Sequence, residues 1–280
     1  TLSALTGETN TGGATGFPNE DVQIAIASDS TVWISFTNHA NSSGDEGSRV
    51  KRATCGTECV STWSAATLVE DDATVNDGVT IVPISSGKIL AVTVNGTDLR
   101  YSECTTTPSC PASASVATID KSAENVTHSV YPGWQPTAAY DNQGTDAVGL
   151  IYKSATWPYS ATFKKYDGTN WGSAITIGNT NNLKQTSPQI IRMGSNFITA
   201  WLEGAFGQLM IYRSGLTPAS ASDFTNINVV PDDGWVKTRL TVAPFVSGSP
   251  IVMAWERKMG VNKAGYGQPI SYLLSISISI

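Results

Sequence analysis

The sequence predicts an all-β protein built from five repeats of four antiparallel strands, and three observations carry that prediction. Helical periodicity is nearly absent; short runs of β-branched and aromatic residues alternate with turns rich in Gly, Asn, Asp, Ser and Pro. One strand pattern recurs five times, as Val32-Trp33-Ile34-Ser35-Phe36, Ile89-Leu90-Ala91-Val92-Thr93, Val148-Gly149-Leu150-Ile151-Tyr152, Phe197-Ile198-Thr199-Ala200-Trp201 and Ile251-Val252-Met253-Ala254-Trp255. The last residues of these runs lie 57, 59, 49 and 54 positions apart, which is a repeat and not a coincidence of composition.

Each run is the second strand of a unit. A first strand precedes it, at Val22 to Ile26, Val79 to Val82, Thr137 to Tyr140, Gln189 to Ile191 and Leu240 to Ala243. A third follows, at Val50 to Ala53, Leu99 to Ser102, Thr162 to Tyr166, Leu209 to Arg213 and Ile270 to Leu274. A weaker fourth follows at Ala66 to Val69, Val116 to Ile119, Ala174 to Ile177, Ile227 to Val230 and Ile276 to Ile280. Four antiparallel strands at a period of 50–59 residues predict a five-bladed β-propeller, with blades at about 21–73, 74–125, 126–184, 185–236 and 237–280 in one domain. Residues 1–20 form an N-terminal extension, and Thr1 to Leu5 are expected to supply a closure strand beside the Ser-Ile repeat that ends the chain. The inner strands are the most apolar, and Trp33, Trp201 and Trp255 on them are assigned to the core.

The 280 residues include 17 basic and 23 acidic ones, a net charge of −6, and only 14% are charged against roughly 25% in ordinary soluble domains. With 40% hydrophobic residues the chain is too apolar for disorder. The acidic balance argues against nucleic acid as a partner, because neutralising phosphates needs a clustered basic surface. No run approaches the ~18 consecutive apolar residues of a membrane span. Four cysteines fall in two close pairs, Cys55 with Cys59 and Cys104 with Cys110, in Thr/Ser/Pro-rich turns. Two local disulfides are expected, with zinc or free thiols as the alternatives, and disulfides with no leader-like opening fit an extracellular, secreted chain. Two histidines, His39 and His128, cannot make a multi-His metal site, and no phosphate loop, dinucleotide fingerprint or nucleophile elbow occurs, so no metal or cofactor is expected. Residues Asp141 to Asp146 are assigned to a plain β-turn in preference to a calcium loop.

Both cysteine pairs fall between third and fourth strands, where the third repeat has Asp167-Gly168-Thr169-Asn170-Trp171. Together with Ala200 to Glu203 and Ala254 to Glu256, this turn resembles the sialidase-like propellers with the bacterial-neuraminidase repeat, or Asp-box, in a degenerate form. Lys165 stands where that motif has Ser, and Gly168 follows Asp167 directly. The resemblance implies three arginines on a substrate carboxylate, a Tyr/Glu couple and an acid/base Asp. Only seven arginines exist, the Arg-Ile-Pro motif is missing, and Arg52, Arg100 and Arg213 fall in third strands. The sialidase chemistry is therefore not expected.

In the repeat model the loops joining second to third strands, and one blade to the next, share a face. On that face the sequence places His39, Asp45 and Glu46; Asp71, Asp72 and Asp77; His128, Tyr131 and Trp134; Trp157 and Tyr159; Glu203 and Phe206; Asp233, Trp235, Lys237 and Arg239; and Glu256, Arg257 and Tyr266. Aromatic faces on long loops stack on sugar rings or make protein contacts. The ligand-binding candidates are Trp134, Trp157, Tyr159, Phe206, Trp235, Arg239, Glu256 and Tyr266. The expected function is a non-catalytic, lectin-like propeller binding a glycan or another cell-surface ligand. Glycoside hydrolysis is the first alternative: it needs paired carboxylates, and Asp45, Asp71, Asp77, Asp233, Glu203 and Glu256 are abundant in those loops. Against it, the first strands, with Val22, Ile24, Val79, Ile81, Ile190 and Val242, offer no axial carboxylate. The second alternative is a structural subunit of a surface layer, appendage or virion that self-assembles through the strand edge at Ser275 to Ile280.

Overall fold

The computed structural model describes residues 20–38, 47–54, 63–64, 67–70, 76–95, 98–106, 110, 117–120, 136–154, 160–178, 185–204, 207–227, 236–244, 251–258 and 271–278. These form five antiparallel sheets, each a meander in chain order. Sheet 1 is β1 Glu20–Ile26, β2 Thr31–Asn38, β3 Gly47–Thr54 and β4 Thr67–Glu70. Sheet 2 is β5 Asn76–Pro83, β6 Ile89–Asn95, β7 Asp98–Cys104 and β8 Ala117–Asp120. Sheet 3 is β9 Thr137–Tyr140, β10 Val148–Lys153, β11 Ala161–Tyr166 and β12 Ile175–Thr176. Sheet 4 is β13 Gln185–Met193, β14 Asn196–Glu203, β15 Gln208–Gly215 and β16 Thr225–Asn226. Sheet 5 is β17 Val236–Pro244, β18 Ile251–Lys258 and β19 Ser271–Ile278. The five second strands coincide with the recurring pattern in the sequence.

The chain divides into two compact units, residues 1–131 with 142–146, and residues 132–141 with 147–280. In the first, Ala25, Ala27, Trp33 and Val50 of sheet 1 pack with Val79, Ile81, Ile89, Ala91 and Cys104 of sheet 2. Trp33 is fully buried. Its indole N–H donates to the Gly87 carbonyl at 3.2 Å, so burying this ring leaves no unmet donor. The second unit has two apolar clusters. One joins Ile151 and Phe163 to Ile190, Phe197, Trp201 and Phe224. The other joins Ile198, Ala200 and Leu209 to Leu240, Met253 and Trp255. The three tryptophans assigned to the core are thus 0, 0 and 1% exposed.

Tight polar turns close the first hairpins. Asp29 accepts the Thr31 N–H at 3.0 Å, and Ser86 and Gly87 take positive φ values of 59° and 72°. The third-to-fourth connections of sheets 2, 3 and 4 are closed by different chemistry. Cys104 and Cys110 form a disulfide, whereas Cys55 and Cys59 lie outside the described residues. In sheet 3, Asp167 Oδ1 accepts the N–H groups of Thr169 at 2.8 Å and Asn170 at 2.7 Å. Trp171 there packs its ring 5.1 Å from that of Tyr166. In sheet 4 a single 3-10 turn, Ala221–Asp223, carries a capping box between Ser220 and Asp223.

Several expectations are corrected. The expected break between a third strand ending at Leu274 and a fourth strand beginning at Ile276 is not there, and residues 279 and 280 lie outside the described residues. Residues Ser271–Ile278 form one continuous third strand, paired with β18 from Ile251↔Ile278 to Lys258↔Ser271, because uninterrupted alternation with no turn residue lets the ladder run on. In sheet 4 the described fourth strand is Thr225–Asn226; of the expected Ile227 to Val230, Ile227 stands just after it and residues 228–230 lie outside the described residues. Asp77, Glu203, Lys237, Arg239, Glu256 and Arg257, expected in loops, stand on strands β5, β14, β17 and β18. Carboxylate residues on first strands include Asp21 on β1 and Asp77 on β5.

The register shows why strand starts were misjudged. Four first strands carry a bulge opposite the end of the second-strand pattern. The shift falls between Glu20 and Gln23 in β1 and between Asn76 and Val79 in β5. In β13 it falls between Thr186 and Gln189, and in β17 between Thr238 and Thr241. A bulge puts two residues against one and breaks the alternation by which a strand is recognised in sequence.

Candidate functional site

Among the described residues of the second unit, two charged side chains are buried at the ends of second strands: Lys153 closing β10, 3% exposed, and Glu203 closing β14, 4% exposed. Contacts between sheets 3 and 4 fix the strand sense. Gly149, near the start of β10, sits so close to Phe197, near the start of β14, that a Cβ would stand 2.9 Å from its ring. Thr137 pairs with Ile151 near the end of β10. Its hydroxyl donates at 3.2 Å to the carbonyl of Pro188, which lies in the bulge opposite Trp201 near the end of β14. The two second strands therefore run alike, and Lys153 and Glu203 lie at one end of the unit.

Burying an ionised side chain is costly unless it is paired or hydrogen-bonded. Glu203 Oε2 accepts the Trp201 indole N–H at 3.3 Å. Trp201 in turn stacks on Tyr212, with centroids 4.9 Å apart and planes 13° from parallel. The Tyr212 hydroxyl accepts from Asn226 Nδ2 at 3.5 Å. Burial, and then the negative charge of Glu203, push the Tyr212 phenol above its usual pKa. Across the sheet Glu203 is flanked by Gln185 on β13 and Gln208 on β15.

The loops carrying the aromatic candidates spring from these residues. Residues 155–159, with Trp157 and Tyr159, follow Lys153 and Ser154. The loop base is closed where the Ser154 N–H donates to the Ser160 carbonyl at 2.9 Å and the Ser160 N–H donates to Ser154 Oγ at 2.9 Å. Phe206 follows Glu203, between Gly204 and Gly207, which are joined by a backbone bond of 3.3 Å. Trp134, Trp157, Tyr159, Phe206, Trp235 and Tyr266 lie outside the described residues, and Arg239 and Glu256 are placed by backbone register alone. Lys153 was missed by the sequence reading. Its signal was a lone cation ending an apolar strand. Among the described residues no group of metal-ligating side chains occurs, and no helix is long and apolar enough to cross a membrane. The Asp141 to Asp146 segment is a turn with Asn142 and Gly144 at positive φ. Asp141 there pairs with Lys165 at 2.5 Å and Asp146 with Lys88.

No protein-family model and no curated protein matches the sequence. Solved structures do match in fold. An alpha-L-arabinanase from Penicillium chrysogenum complexed with arabinobiose aligns with a TM-score of 0.56 and 12% identity, over 90% of this chain and 80% of that one. An ulvan lyase bound to a GlcA(1-4)Rha3S saccharide aligns with a TM-score of 0.55 and 10% identity, over 88% and 68%. An alpha-L-arabinofuranosidase from Fusarium graminearum, in complex with an iminosugar inhibitor, gives 0.51 and 10%, over 86% and 76%. The chain is all-β with a propeller-type fold.

Proposed function

We propose that the protein is an extracellular, five-bladed propeller that binds carbohydrate at the end of the second unit marked by Lys153 and Glu203. The observation carrying this reading is the coincidence of two buried charges with the bases of loops holding Trp157, Tyr159 and Phe206. Rings supply stacking area and ionisable groups supply directional hydrogen bonds, the combination by which polar rings are recognised. The similar solved structures are carbohydrate-active proteins, which supports the ligand class. Five consecutive meanders support the blade count, and the Cys104–Cys110 bridge supports an oxidising compartment. Calorimetric titration with a panel of neutral and acidic oligosaccharides, arabinobiose among them, tests the reading. Binding of at least one member is expected, weakened roughly tenfold or more by combined Trp157→Ala, Tyr159→Ala and Phe206→Ala replacement. Absence of binding across the panel overturns it.

A second reading is glycosidic-bond hydrolysis, favoured by the buried Glu203. It requires reducing-sugar release from a polysaccharide panel and its loss in Glu203→Gln, since a carboxylate pair loses its chemistry when one member cannot ionise.

A further inference from the structure

The last residue of the recurring second-strand pattern is a large ring in four sheets, Phe36, Tyr152, Trp201 and Trp255, each no more than 4% exposed. In sheet 2 that place is taken by Thr93. Trp201 packs among Ile151 and Phe163 of sheet 3, and Trp255 among Ile198 and Ala200 of sheet 4. Thr93 alternates with Ile89 and Ala91 on β6, so it lies on the face that packs against Trp33 and Val50 of sheet 1. From sheet 1, Ser35 reaches this place: its hydroxyl donates to the Val79 carbonyl at 3.5 Å, and Val79 is the direct cross-strand partner of Thr93. Ser102 shares the face as well. It pairs with Ala91 while Arg100 pairs with Thr93, which makes Thr93 and Ser102 diagonal neighbours across β6 and β7.

Ser35, Thr93 and Ser102 are 0, 0 and 2% exposed. Neither the Thr93 hydroxyl nor that of Ser102 meets a hydrogen-bond partner among the described residues. Buried hydroxyls are nearly always bonded to protein or to ordered water, because removing one from water without return is unfavourable. Interiors are also close-packed, so a threonine in a ring's place leaves room that other atoms must fill. A recess lined by apolar groups can stay dry, whereas one lined by two to four polar groups suits an internal water.

We propose that the interface of sheets 1 and 2 holds an internal water beside Thr93, bonded to Thr93 Oγ1 and Ser102 Oγ, with Ser35 Oγ as its third partner. A water brings two donors and two acceptors, and each hydroxyl one donor and two lone pairs, so the four groups satisfy one another. Ser35 keeps its proton on the Val79 carbonyl and offers a lone pair to the water. An apolar guest would leave the Thr93 and Ser102 hydroxyls unmet, which sets the guest's chemistry. This water site does not depend on the carbohydrate reading. The competing arrangement is a direct bond between the Thr93 and Ser102 hydroxyls.

The test counts long-lived waters by oxygen-17 magnetic relaxation dispersion in the full chain and in Thr93→Val, which keeps the shape and removes the hydroxyl. Thr93→Val is expected to lose one such water. Ser102→Ala is expected to lose the same one, so the double variant loses no more than either alone. Each single variant is also expected to lower the Tm by roughly two to four degrees, since the remaining hydroxyl is left unmet. In the double variant the fall is expected to be smaller than the sum, because both changes act on one water. An unchanged water count in both single variants overturns the proposal. A lowered Tm with that unchanged count assigns the stability to a direct Thr93–Ser102 bond, and an unchanged or raised Tm shows that the hydroxyls had no partner.

Discussion

Gly178 follows β12 with φ at +67°, and a Cβ there would stand 2.7 Å from Trp201 Cζ2 and 3.1 Å from the Tyr212 hydroxyl. A side chain must both enter a left-handed conformation and displace the stacked Trp201–Tyr212 pair. Gly178→Ala is therefore expected to destabilise by about 2–4 kcal/mol, read as a fall in Tm, with a weaker near-ultraviolet tryptophan signal. The glycine was visible in the sequence as turn material, but the rings it makes room for were not. Trp201 and Tyr212 are 11 residues apart in sequence and meet because β14 and β15 pair. Glu203 is similar: its type and position in the chain were legible, while its burial and its bond to Trp201 were not.

At the scale of elements, the β9–β10 connection is held by charge. Asp146 accepts from the Ser85 N–H at 2.9 Å, from the Ser85 hydroxyl and from Lys88 Nζ, while Lys88 also lies 3.7 Å from Glu103. Burial alone would raise the Asp146 carboxyl. The bonds from Lys88 and Ser85 outweigh it and hold the group below its ordinary value. Lys88 is raised in turn, chiefly by its bond to Asp146. The signs follow from linkage. A carboxylate lowered in the folded state stabilises the protein above its unfolded pKa of about 3.9, and that contribution disappears as pH falls through the folded value. Asp146→Asn is expected to cost about 1–2 kcal/mol at neutral pH and to flatten the acid limb of a Tm-against-pH curve. A variant with the wild-type acid limb would show that the pair contributes nothing. Strand existence was legible throughout because alternation and turn residues are local signals. Bulges, the continuation of Ser271–Ile278 as one strand, and the capping box of Ser220 and Asp223 were not read. The first two depend on what the partner strand does, whereas the Ser-x-x-Asp pattern of the capping box is itself a local signal in the sequence.

For the whole molecule, Val22, Ile24 and Ile26 stand 61, 68 and 66% exposed on alternate positions of β1. Three β-branched residues on one face of a first strand form an apolar stripe open to solvent. Ile24→Asp is therefore expected to change stability by no more than about 0.5 kcal/mol, read as a Tm within about two degrees of the parent. A fall of several degrees would show that the stripe is covered in solution. The sequence by itself determined the all-β class, the five repeats, their second strands and the three core tryptophans, because period and composition are properties of the chain alone. Tertiary structure decided which end of the strands collects buried charge and which donors find acceptors. Each of those depends on which residue lies across the sheet or in the adjoining one, and cross-strand distance is not encoded in separation along the chain.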